Sequence, residues 1–289
     1  MLCLRTLVYS LLIESLVLEN PWIAILLACF LWWFLTGLIL FVVNWADSRG
    51  AIYHKFVTLG LLPVLVFGFY GFLYSLNNLS VSGVYLAFFS SLLIWGWLEL
   101  AFLTGVITGP NRLEKPLGVS GFKRFQLAWT AIAYSELTLA LVFLILLFLS
   151  IGQSNLFGFL TFLVLYFARL SAKLNLFFGV PKTNIEFLPT RVGHLASHFK
   201  ISGTSWFFPL SLILLSGLGA YWFSGFRGAI QASGNALGYS FLMTLTSLAI
   251  LEHFFMILSF PDAALWRWMI PKSDSNADVT TNQRETFTK

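Results

Sequence analysis

A chain of 289 residues with 58% hydrophobic and only 10% charged residues has too few polar groups to cover a water-facing surface, since soluble domains carry about 25% charged residues. Lipid must be the solvent for much of this surface, which excludes a soluble globular enzyme. The net charge of +5 first suggests nucleic acid or an acidic partner, but its placement in loops assigns it to membrane topology and leaves no case for nucleic acid.

Crossing about 30 Å of hydrocarbon takes roughly 20 apolar residues. Residues 6–18 are apolar but interrupted by Glu14 and flanked by Arg5, with no A-x-A-like cleavage site. Residues 1–20 are therefore predicted to be an N-terminal extension with an interfacial helix, an eighth span being the rival reading. Spans are predicted near 23–43, 56–76, 83–105, 127–150, 156–176, 205–224 and 238–259. The fold class is all-α: a polytopic transmembrane helical bundle of about seven spans, in a domain covering residues 21–271. The polar stretch 272–289 is expected to be a disordered tail.

Lys and Arg in short loops set orientation. Arg49 and Lys55 follow the first span; Arg112, Lys115, Lys123 and Arg124 follow the third; Lys182, Arg191 and Lys200 follow the fifth. The tail carries Arg267, Lys272, Arg284 and Lys289, while the alternate connections hold only Arg227. This alternation predicts a cytoplasmic C-terminus. Trp22, Trp45, Trp129, Trp206, Trp222, Trp266 and Trp268 fall at span ends, where indoles anchor to the interface. No internal repeat is visible, which argues against a transporter built on inverted repeats. Cys3 and Cys29 are the only cysteines, so neither a disulfide framework nor a CxxC redox pair exists.

Ionisable groups within spans are costly and mark function. Glu99, Glu136, Arg169, Lys173, Glu252 and His253 qualify, and all fall in the half of the bilayer facing the basic loops. Arg169 and Lys173, four apart, share a helix face. Two cations there require carboxylates opposite, so a polar cluster of Glu99, Glu136, Glu252, Arg169 and Lys173, helped by Asn175, is expected. The competing readings are that Lys173, and less readily Arg169, snorkels to the interface and that Glu99 and Glu252 are solvated by headgroups. Glu136 lies deepest and is the hardest to explain in that way. His253 is a candidate axial ligand for a tetrapyrrole metal, or else a hydrogen-bonding group between helices. His194 and His198 would share a face if their loop were α-helical, but no third metal ligand accompanies them. Gly105 and Gly109 have GxxxG spacing across a span end, a weak sign of helix contact. No P-loop, GxGxxG, HExxH or GxSxG is present, and no catalytic constellation is predicted.

Three segments resemble one family. They are RLSAKLNLFFGVPKTNIEFLP from Arg169 to Pro189, LEHFFMILSFPDAALWRW from Leu251 to Trp268, and WGWLELAFLTGVITGPNR from Trp95 to Arg112. All three look like the photosynthetic complex assembly protein 2 (PuhE) family of purple phototrophic bacteria, and the likeness extends over about residues 21–271. The resemblance implies residence in the bacterial inner (intracytoplasmic) membrane. It further implies a role in building the reaction centre and light-harvesting antenna from their polypeptides, through bacteriochlorophyll handling. A bacteriochlorophyll biosynthetic enzyme or enzyme subunit is the alternative. Carried over by position, the family's polar residues match Glu99, Glu136, Arg169, Lys173, Asn175, Glu252 and His253. The family often has His where this chain has Ser135 and Arg191, so a pigment site here would rest on His253.

Overall fold

The computed structural model describes residues 18–183, 185, 188–229 and 233–258. The expected segment 6–18 thus lies almost wholly outside the described residues, as do the tail, Trp266 and Trp268. Among the described residues, seven helical spans are long and apolar enough to cross a membrane.

Helix α1 (Pro21–Asp47) starts where Asn20 accepts the Trp22 N–H at 3.0 Å, with Pro21 at the first helical position, where its missing N–H costs nothing. The second span is jointed. Helix α2 (Ala51–Gly60) and helix α3 (Leu62–Ser75) meet at Leu61, because Pro63 has no N–H to give and crowds the carbonyl four residues before it. Ser80 caps helix α4 (Val81–Leu103), accepting from the Gly83 N–H at 3.3 Å. Helix α5 (Gly121–Ser150) begins six residues before the expected span, so Glu136 lies midway along it. Helix α6 (Phe157–Phe178) stops at Gly179, whose φ of +132° ends the helical run. A 3₁₀ helix (Thr190–His198) precedes helices α7 (Phe207–Gly228) and α8 (Ser233–Phe255).

Helices α4 and α8 are the most buried spans. Helix α4 packs on α3, α6 and α8; helix α8 packs on α7, α1 and α6; helix α5 leans chiefly on α6. Lipid offers no hydrophobic drive between helices, so small residues and shape complementarity hold them. Gly68 and Gly71 of α3 lie directly against Ser90 and Ile94 of α4, and Phe88 stacks on Phe241 with ring centroids 4.0 Å apart. Outward rows such as Leu26, Phe30 and Phe41 on α1 and Ile213, Leu214 and Tyr221 on α7 stay exposed, as lipid-facing surface should.

Trp22 and Trp206 are exposed at helix starts, but Trp222 is only 3% exposed. Trp222 is therefore a core residue and not an interface anchor: it packs with Leu237 and Phe241 between α7 and α8.

The basic connections form a folded layer at one end of the bundle. Phe102 and Ala131 of the spans pack with Val192 and Leu195 of the 3₁₀ helix. Arg124 donates through Nη2 to the Phe177 and His198 carbonyls at 2.7 and 2.9 Å, which places a cation on the carbonyl-rich end of α6. Arg112 Nη2 donates to the Gly105 carbonyl at 2.9 Å. His54 Nε2 meets Asp47 Oδ1 at 3.1 Å, and the Thr190 N–H donates to Asp47 Oδ2 at 3.3 Å. Gly105 and Gly109 do not pair helices. Gly105 turns the chain at φ +73°, and Gly109 lies against the α5 backbone at Thr130 and Ala131.

Candidate functional site

Arg169 and Lys173 leave the same face of α6, one turn apart. Arg169 Nε meets Glu99 Oε1 at 2.5 Å and its Nη1 meets Glu136 Oε1 at 3.2 Å. Lys173 Nζ reaches the same Glu136 oxygen at 2.6 Å. Lys173 therefore turns inward to α5 and does not snorkel. Glu136 is 6% exposed, and the two cations beside it offset the cost of holding its charge away from water. The Phe102 ring completes the setting, with the Arg169 guanidinium 4.8 Å and the Lys173 ammonium 4.3 Å from its centroid. Cations over an aromatic face are attracted by its quadrupole.

Glu252 stands apart from this network. Its Oε1 accepts from Trp32 Nε1 at 2.8 Å, and it forms no ion pair among the described residues. It faces Glu99 and Arg169 across a cavity of 320 Å³. The expected single cluster is thus a four-residue ion network with a separate carboxyl opposite.

Asn175 belongs to neither part. It lies two residues past Lys173, about 200° around a 3.6-residue helix, and so points the other way. Its Nδ2 donates to the Ser171 carbonyl and to Ser211 Oγ, both at 3.0 Å, which ties α6 to α7.

His253 is likewise not placed as a pigment ligand. It is 1% exposed, with Nδ1 donating to the Ala249 carbonyl at 2.7 Å and Nε2 paired with Ser171 Oγ at 2.9 Å. The carbonyl can only accept, so Nδ1 carries a proton, and in the neutral ring Nε2 then accepts from the Ser171 hydroxyl. Both ring nitrogens are engaged, and the imidazole does not line the cavity.

His194 and His198 lie in a 3₁₀ helix with about three residues per turn, so an i, i+4 spacing does not align them. Burial first, and then neighbouring charge, holds both imidazoles below the usual range: Arg112 acts on His194, and His194, Lys115 and Arg124 act on His198. Among the described residues no group of three His, Cys, Asp or Glu could hold a metal ion.

The cavity lies among α1, α4, α6 and α8. Leu92, Val164 and Leu245 line its apolar part, and Glu99, Arg169 and Glu252 its polar part, with Trp32 and Trp95 as aromatic walls. Every lining residue comes from a membrane span and none from the basic loops. Sequence reasoning missed Trp32 and Trp95. The available signal was their position in mid-span, where an indole N–H needs a partner that lipid cannot supply.

Residues 18–277 match the family described as Protein of unknown function (DUF3623). The chain is 41% identical over 262 residues to an uncharacterized 30.4 kDa protein in the puhA 5′ region of Rhodobacter capsulatus, an alignment covering 91% of this chain and 95% of the relative. No solved structure matches the chain.

Proposed function

The chain belongs to the DUF3623 family, and on that premise we propose that this multi-pass membrane protein is an assembly factor for bacterial photosynthetic complexes. The relative in the puhA 5′ region supports a photosynthetic role. Likeness to the PuhE family in the segments at 95–112, 169–189 and 251–268 supports the finer reading. On that reading the protein works in the inner (intracytoplasmic) membrane with its basic loops in the cytoplasm. It serves reaction-centre and light-harvesting polypeptides during their construction, and it acts by holding rather than by turnover.

The observation that carries this reading is the cavity with its charged end. The acids and bases of the ion network neutralise one another, with Arg169 and Lys173 on Glu99 and Glu136. Such a group suits a fixed polar surface inside the bilayer better than a proton-transfer centre. Polar groups that hydrocarbon would reject can rest against it while apolar groups lie along Leu92, Val164 and Leu245, which suits a cargo delivered through the membrane.

The test is a deletion strain, measured by absorbance spectra and by extractable pigment. Assembled reaction-centre and antenna complexes should fall while bacteriochlorophyll synthesis continues. Normal core-complex levels would end the assembly reading. Accumulation of one discrete pigment precursor would move the case to a bacteriochlorophyll biosynthetic enzyme or enzyme subunit.

A further inference from the structure

Two carboxyls face the cavity and each is half used. Glu99 engages Arg169 through Oε1, and Glu252 engages Trp32 through Oε1. The second oxygen of each has no protein partner among the described residues. Carboxyl oxygens accept hydrogen bonds, so a group resting against this end of the cavity is held best when it donates. Among the described residues Glu99 and Glu136 have Arg169 and Lys173 opposite them, whereas Glu252 has no base. An occupant whose head lies against Glu99 and Glu252 therefore carries donors and is not an anion.

Its body must be apolar, because apart from Thr36 and Arg169 the rest of the lining is apolar and belongs to the spans. At 320 Å³ the space is at the small end of ligand pockets, which begin at about 300 Å³. That suits one chain or one ring. Gly96 contributes to the room on α4, since a Cβ added there would meet only Ile39 of α1.

We propose that the cavity binds a membrane-dissolved amphiphile whose head, a hydroxyl or an ammonium, donates to Glu99 and Glu252 while its apolar body lies along Leu92, Val164 and Leu245. This names the class of molecule held at the site on which the assembly reading rests. The two fail separately, because binding is measured on purified protein and the assembly role in a deletion strain.

The experiment uses the full chain in phosphatidylcholine nanodiscs, whose headgroups carry no N–H or O–H. Bromine-tipped undecanol, undecylamine and undecanoate are titrated, and quenching of tryptophan fluorescence is read at saturation. Trp32 and Trp95 wall the cavity, so an occupant quenches them by contact. A saturable component is expected with the alcohol or the amine and not with the carboxylate. It should weaken at least tenfold in Gly96→Leu, which fills the space, and in Glu252→Leu, which removes the acceptor. Preference for the amine over the alcohol, lost in Glu252→Gln, identifies the head as ammonium; equal loss of both in Glu252→Leu identifies hydroxyl. Saturable quenching by the carboxylate, or quenching unchanged in both Leu variants with unfolding midpoints near wild type, would overturn the proposal.

Discussion

Arg169 is the residue through which two carboxylates share one cation, Glu99 at Nε and Glu136 at Nη1. Removing it leaves Glu99 without an ion-pair partner among the described residues, whereas removing Lys173 leaves Glu136 still on Arg169. Breaking a buried pair from one side costs about 3–5 kcal/mol, because the remaining charge stays desolvated. Arg169→Ala should therefore lower the unfolding midpoint in detergent, and accumulation in the membrane, clearly more than Lys173→Ala. Equal losses would show that the two cations are interchangeable. The pairing of Arg169 and Lys173 with acids was legible in the sequence, because four-residue spacing fixes a common face and only a few intramembrane carboxylates could answer it. The placements of Asn175 and His253 needed angular arithmetic as well as depth. Asn175 lies about 200° from Lys173, and His253 lies about 100° from Glu252, at 3.6 residues per turn. Both turn from the network to Ser211 and Ser171.

At the scale of elements, the spans could be read because a run of about 20 apolar residues is a local property. The joint at Leu61 was signalled by Pro63. The folded layer over the basic end was not legible, because it depends on contacts between loops distant in sequence. The segment after α4 is the clearest case. The Asn111 N–H donates to the Thr130 carbonyl at 3.2 Å, and the Ser135 N–H donates to the Thr108 carbonyl at 2.8 Å. Between them Gly109 touches the α5 backbone so closely that no side chain fits. Gly109→Leu should push this segment away and lose both bonds, about 2 kcal/mol at about 1 kcal/mol each. It should also open the chain to trypsin at Arg112 and Lys123. Gly118 has φ +78° but nothing near its α-carbon, so Gly118→Ala should cost only the left-handed backbone penalty, about 1 kcal/mol, without new cleavage. Comparable proteolysis of the two variants would mean that the segment does not pack on α5.

For the whole molecule, seven spans with basic connections at alternate turns place Arg49, Arg112, Lys115, Lys123, Arg124 and Lys200 at one end and Arg227 at the other. Some of these cations are engaged in the folded state, as when Arg112 and Arg124 hold backbone carbonyls. That does not weaken the orientation argument, because topology is decided as spans insert, before tertiary contacts form, by the Lys and Arg flanking each span. The end bearing the folded layer, and with it the ion network, is therefore predicted to face the cytoplasm, and so is the terminus after α8. Alkaline phosphatase, active only in the periplasm, should be silent when fused after Lys289 and active when inserted in the turn at 151–155. Fusions in the segment between α4 and α5 should match the C-terminal one. Activity after Lys289 with silence at 151–155 would invert the bundle and put the polar end of the cavity in the periplasmic leaflet. Cargo arriving from the cytoplasmic side would then meet apolar lining first, and the holding role would lose its physical basis.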